Sequence, residues 1–199
     1  MKKIILLIFF LYFKFGFAQD TLVINIDNDK ILDSVFYQKN NSIFICKLST
    51  KKFKEIKSKT FENSGDQSNI SATKNGFNFK NNWMRAGYSC RFRFNPKNKL
   101  IELIGMSHYE FGGATNDGSG EASLNLVTNN YIGSWNYFDD IKQNLISIPT
   151  LKRKVILKNK TLQEFGEDQI NKLQNISQEY FGIMKEKMLH KKTKHSKKQ

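Results

Sequence analysis

Near the start of the chain, the stretch NIDNDKILD places oxygen donors at alternate positions: Asn25, Asp27, Asp29, the backbone carbonyl of Ile31, and Asp33. A hard divalent cation takes several oxygen ligands at about 2.3–2.6 Å, and a tight loop supplies them in this way as its backbone winds around the ion. Counted from Asn25, the five donors hold the odd-numbered offsets used by calcium loops. The same residue types also build turns that need no ion, because an Asn or Asp side chain accepts hydrogen bonds from amides two residues further on. Two readings follow: a structural calcium site, or an Asx-rich turn between two strands. An EF-hand is excluded, since Phe36 stands where the bidentate Glu would be required and the flanks Leu22–Ile26 and Ser34–Tyr37 read as strands.

A second polar group lies in HYEFGGATNDGSGE, where His108, Glu110, Asp117 and Glu121 fall close together. Two carboxylates about 5–10 Å apart across a cleft can act as general acid and base on a glycan. The composition is also that of a mobile inter-strand loop with solvated acids. Other catalytic patterns are missing. Ser119 lacks the outer glycines of a nucleophile elbow, and no His-Glu-x-x-His or Cys-x-x-Cys spacing suggests zinc. No catalytic residue is assigned.

Arg85, Arg91 and Arg93 put three of the four arginines on one predicted hairpin, suited to a carboxylate or phosphate ligand or to pairing with an acid such as Glu102. Trp83 and Trp135 have the surface to stack on a sugar or to anchor a core. Cys46 alternates in step with Phe44 and Leu48, and Cys90 with Tyr88, Phe92 and Phe94, so both face an apolar side. They form either a disulfide or two buried thiols.

These residues must be positioned by strands. From Thr21 to about Leu157, short segments of alternating polarity are separated by turn residues, with Asn75-Gly76 as the strongest hairpin signal. About ten strands with short connections predict a mainly β domain: an antiparallel meander, sandwich or partial barrel. Further on, Leu162, Phe165, Ile170, Leu173, Ile176, Tyr180, Met184 and Met188 recur at helical spacing, and acids precede lysines. This predicts a C-terminal amphipathic helix from Glu167 to Leu189, packed on the sheet, with a basic disordered tail within residues 185–199.

Lys2 and Lys3 ahead of the apolar run Ile4–Phe13, with Gly16 and Ala18 at cleavage-compatible positions, read as a signal peptide over residues 1–18. The run is too short for the roughly 20 residues of a membrane span. Residues 19–184 are then one domain of a secreted or periplasmic protein, with no transmembrane segment after signal removal. The formal charge of +14 invites a polyanion reading, but most of the excess lies in the signal segment and the last fifteen residues, and 28 of the 32 basic residues are Lys. Nucleic acid is therefore not the expected partner.

The NIDNDKILD run resembles the D-x-D-x-D-G-x-x-D calcium loop of FG-GAP and VCBS-type repeats, which also lies between strands. It departs in having Lys30 in place of Gly, so a non-glycine residue would take the left-handed turn. The motif occurs once, whereas a propeller needs it in every blade. The stretches NNWMRAGY, LIGMSHYEFG and NDGSGEASLNLVTNNYIGSWNYFD resemble small exported proteins of Bacteroidetes, which implies export and a single domain but no chemistry. The functional expectation is an exported protein that binds an unknown protein or glycan of the cell envelope or extracellular space. The alternative is an acid-pair hydrolase of envelope glycan.

Overall fold

A computed structural model describes residues 21–61, 67–158 and 160–196. The signal peptide expected over residues 1–18 therefore lies outside the described residues. Strands β1 (Thr21–Ile24), β2 (Asp33–Gln38), β3 (Ile43–Lys47) and β4 (Glu55–Lys57) form a four-stranded antiparallel meander in chain order. A larger antiparallel sheet follows from β5 (Gln67–Thr73), β6 (Gly76–Trp83), β7 (Ala86–Asn95), β8 (Leu100–Glu110), β9 (Gly120–Asn125), β10 (Asn130–Asp139) and β11 (Asn144–Ser147), also in sequential order. The short β12 (Leu151–Lys154) pairs with the first part of β10, at Asn130–Gly133, and β11 with its last part. The order runs from β5 to β11 without closing, so the fold is sandwich-like rather than a barrel.

Alternation along the strands decides what is buried. On β7, Tyr88, Cys90, Phe92 and Phe94 point into the core, while Ser89, Arg91 and Arg93 point the other way. The pleat sends successive side chains to opposite faces, so one strand serves both an apolar core and a polar surface. Where the two sheets meet, the core is aromatic: Phe44 lies 4.8 Å from Phe79 and 5.6 Å from Phe92, and Phe77 stacks on Phe92 at 4.9 Å. The hairpin expected at Asn75-Gly76 is present. A Cβ on Gly76 would fall 2.1 Å from the carbonyl oxygen of Phe92, so this strand start admits only glycine without displacing backbone.

A bulge interrupts the β7–β8 ladder. Arg91 pairs with Gly105 but Phe92 pairs with Leu103, which leaves Ile104 as the extra residue. It lets Leu103 and Met106 both reach the core although an odd number of positions separates them.

The rest of the inner face is covered by helix α1 (Glu167–Ser196), whose Ile170, Leu173 and Ile176 are buried and whose Tyr180, Phe181 and Met184 pack on the core rim. A capping box between Thr161 and Glu164 closes the short 3-10 turn ahead of it. The helix runs past the expected Leu189 to Ser196, through part of the stretch expected as a disordered tail. Lysine is a good helix former and is favoured at a helix C-terminus by the dipole, so the basic segment extends the last turns. Among the described residues, no helix is long and apolar enough to cross a membrane.

Candidate functional site

In the acidic loop, each carboxylate oxygen accepts a hydrogen bond. Asp33 is 1% exposed; its Oδ2 accepts from the amides of Ile26 at 2.7 Å and Asp27 at 3.3 Å, and its Oδ1 from the amide of Ser49 at 2.8 Å. Asp29 accepts from the Ile31 amide at 2.8 Å and the Ser49 hydroxyl at 2.5 Å. Asp27 accepts from the Asp29 amide at 3.3 Å and the Thr50 hydroxyl at 2.5 Å. The Ser49 hydroxyl, with the Ile31 amide, holds Asp29 below the usual carboxylate range. Lys30 takes the left-handed conformation in place of glycine, at φ 71°, and Asn28 does so at φ 65°.

This geometry is that of an Asx-rich turn docked onto the 3-10 turn Ser49–Lys51. Among the described residues, no group of three or more His, Cys, Asp or Glu side chains is arranged to hold a metal ion. Within the loop, the side-chain oxygen of Asn25 is buried and has no hydrogen-bond partner among the described residues.

The second polar group is pulled apart by the pleat. Register pairs Tyr109 with Glu121 and Glu110 with Gly120. Since Tyr109 and Glu110 are adjacent on β8, they face opposite sides of the sheet, and Glu121 goes with Tyr109. Glu110 and Glu121 therefore do not flank a common cleft. Burial raises the Glu110 carboxyl above its ordinary range. Asp117 is fixed elsewhere: it accepts from the Phe138 amide at 2.8 Å and from the Lys185 ammonium at 2.5 Å. Burial works to raise its carboxyl, but those donors outweigh it and hold it low.

The loop itself is held rather than mobile. Arg85 donates to the carbonyls of Phe111, Gly112 and Gly113 at 3.0–3.2 Å and to the Asn116 side chain at 3.3 Å.

His108 faces the helix in a buried network that sequence spacing did not reveal, because its partner lies 69 residues away. Its Nε2 is 2.7 Å from Ser177 Oγ, and Tyr131 Oη is 2.6 Å from the same oxygen. Ser177 donates its one proton to the Leu173 carbonyl at 3.2 Å. The consistent assignment has Tyr131 O–H and His108 Nε2–H both donating to Ser177 Oγ. In that state Ser177 is not an activated nucleophile, since His108 presents it with a proton rather than a lone pair. Burial lowers the His108 pKa to about 4, so the ring is neutral at pH 7. The network anchors α1 to β8 and β10.

Cys46 and Cys90 are free thiols on different sheets, both fully buried. The disulfide reading is thus corrected to two buried thiols. Burial pushes both up, and the Asp33 and Asp27 carboxylates add to the effect at Cys46, so neither is a ready nucleophile. Trp135, 4% exposed and 5.2 Å from the His108 ring, is a core anchor and is closed to a sugar.

What stays open is the outer face of the large sheet. A hollow of about 560 Å³ is bordered by Asn78, Arg91, Arg93, Ser107, Ser123 and Asn125. Ser89 and Ser107, 2.7 Å apart, form part of its lining and also line the next hollow, beside Lys80, Asn82 and Tyr109. A third hollow shares Asn82 and Tyr109 with the second and adds Trp83 and Met84. The shared linings make one continuous polar groove across β6–β9. Small side chains let it sink: Ser89, Ser107 and Ser123 follow one another across three strands, and the bulge sets Gly105 opposite Arg91.

The expected pairing of these arginines with Glu102 is not made. Register sets Arg93 opposite Glu102, but Glu102 accepts from the Asn95 and Asn98 amides at 3.1 and 2.6 Å. Among the described residues, no acid lies within ion-pair distance of Arg91 or Arg93.

Comparison with protein-family models, with curated proteins and with solved structures gives no match for this chain.

Proposed function

We propose that this chain is an exported binding protein of the cell envelope or extracellular space, and that the outer groove of its large sheet takes an extended glycan bearing acidic groups. The carrying observation is the pair of arginines, Arg91 and Arg93, that stand without acid partners among the described residues at one end of a groove lined by hydroxyls and amides. Guanidinium groups suit a carboxylate or phosphate, and the Ser and Asn side chains suit sugar hydroxyls. At the other end, half-buried Tyr109 offers ring surface for stacking, while Trp83 turns its ring inward against Tyr88. Export rests on the residues 1–18 signal pattern, and the likeness to exported Bacteroidetes proteins supports it.

Titration calorimetry against uronate-containing and neutral oligosaccharides tests the reading. Arg91→Gln with Arg93→Gln is expected to weaken binding of the acidic chain by about tenfold or more. Equal affinity for neutral and acidic chains would remove its basis. The hydrolase alternative requires turnover that Glu110→Gln and Glu121→Gln abolish; the separation of these acids to opposite faces favours binding without turnover.

A second reading attaches a structural calcium ion to the acidic loop, favoured by the buried, unpartnered Asn25 oxygen. Asn25, Asp27, Asp29, Asp33 and the Ile31 carbonyl are the oxygens it would draw on, through lone pairs not used by the present donors. A melting scan in calcium and in chelator decides it. A rise that Asp27→Ala removes supports the ion, and superimposed curves assign the loop to hydrogen bonding alone.

A further inference from the structure

At one end of the sandwich, the turn between β3 and β4 lies against the turn between β7 and β8. Between them is a hollow of about 460 Å³, with Lys51, Lys52, Lys54 and Lys99 around it and Ile56 and Leu100 in its lining. Phe53 sits between two of those lysines and is 49% exposed. The turn that carries them is defined by its own backbone: the Lys51 and Phe53 amides both donate to the Leu48 carbonyl, and the Lys52 amide donates to Ser49.

The lysines lack countercharge. Glu55 is engaged by Lys47 and Lys57, Glu102 by two asparagines, and Glu164 by Thr161. Asp27 and Asp29 turn to the hydroxyls of Thr50 and Ser49. Among the described residues, none of the four lysines has an acid within ion-pair distance.

Lys52, Phe53 and Lys99 all hold left-handed backbone, at φ 55°, 57° and 56°. That conformation is uncommon for residues without a short polar side chain and is a genuine outlier for a bulky one. Here it carries two lysines and a phenylalanine at one end of the molecule.

We infer that this end docks on an anionic lipid bilayer surface, the lysines facing lipid phosphates and Phe53 entering the interface beside the apolar-lined hollow. Charge complementarity selects an anionic partner, and an exposed ring among lysines selects an amphiphile over a water-soluble polymer. The site is separate from the arginine groove, so either can fail without the other.

The test is vesicle co-sedimentation of the chain from Gln19 on, which keeps every described element. Mixed phosphatidylcholine and phosphatidylglycerol vesicles are compared with phosphatidylcholine alone. Lys52→Asn, Lys54→Gln and Lys99→Asn together remove three charges, with asparagine at the two left-handed positions because it tolerates them. Near-ultraviolet circular dichroism checks that the fold survives. Affinity for the anionic vesicles is expected to fall about fivefold per lysine, on the order of a hundredfold in all. The single change Lys54→Arg, which keeps the charge and leaves the strained positions alone, should bind like the parent, and Phe53→Ser should weaken binding several-fold.

Unchanged binding in the triple variant would overturn the inference, as would loss only on neutralising Lys187, Lys191 and Lys192 in the helix. Insensitivity to Phe53→Ser, or competition by soluble glycerol phosphate, would assign the lysines to free polyanions and overturn it equally.

Discussion

The acidic loop between β1 and β2 and the arginine pair on β7 are both clusters of like charge, yet they are in opposite states. In the loop, Asp27, Asp29 and Asp33 have turned every carboxylate oxygen toward a donor, four of them amides of the same loop and three the Ser49 amide, the Ser49 hydroxyl and the Thr50 hydroxyl. On the groove, Arg91 and Arg93 have no acid within ion-pair distance among the described residues. Charge density in a sequence does not distinguish these states. What separates them is whether the fold brings complementary groups to the charge: a saturated cluster holds structure together, and an unsaturated one is available to a ligand.

The contrast breaks most sharply at Asp33. Asp33→Ala would leave three amide donors without their acceptor at a buried position, and a loss of about 3 kcal/mol or more in urea unfolding is expected. A loss below about 1 kcal/mol would mean that the loop is not held by its carboxylates.

A second test reaches the interior, where His108 is partnered at Nε2 but buried and unpartnered at Nδ1. Its folded pKa, about 4, lies below the ordinary 6.5, so between those values the unfolded chain takes up a proton that the folded chain refuses. Stability is full above pH 6.5 and falls as the pH drops toward 4, by about 3 kcal/mol from this group. His108→Gln, which keeps a donor to Ser177 but cannot titrate, should flatten that part of the profile. An unchanged slope would place the proton uptake elsewhere.

Lys185 sets an intermediate case, since it reaches Asp117 from the helix but both side chains are about one-third exposed. Lys185→Ala is expected to cost no more than about 1 kcal/mol, because Asp117 keeps the Phe138 amide and solvent screens the pair. The smallest effect belongs to the groove. Arg91→Gln with Arg93→Gln should change stability by about 0.5 kcal/mol or less while removing acidic ligand, the reverse of the Asp33→Ala pattern. A large stability loss there would show that the arginines are structural.

Much of the architecture was legible beforehand. The alternation in GYSCRFRF predicted a strand with Cys90 and Phe92 inside and Arg91 and Arg93 outside, and that is how β7 lies. The helix start at Glu167 and its buried Ile170, Leu173 and Ile176 followed from three- and four-residue spacing. The candidate site was legible only as a list of residue types. Nothing in the spacing of Glu110 and Glu121 shows that they go to opposite faces, and nothing near His108 points to Ser177.

The local geometry of a peptide chain determined one set of properties unaided: a period of two or of three to four residues, the turn chemistry of Asn and Gly, and hence which side of each element is apolar. Pairing across the fold decided the rest. Which carboxylates meet Ser49 and Thr50, which arginines miss Glu102, and which thiols stay apart depend on register, on the extra residue at Ile104 and on which half of the sheet α1 covers. Periodicity is written residue by residue in backbone dihedrals, whereas these partners lie many positions apart and are chosen only when the sheets and helix close over a common core.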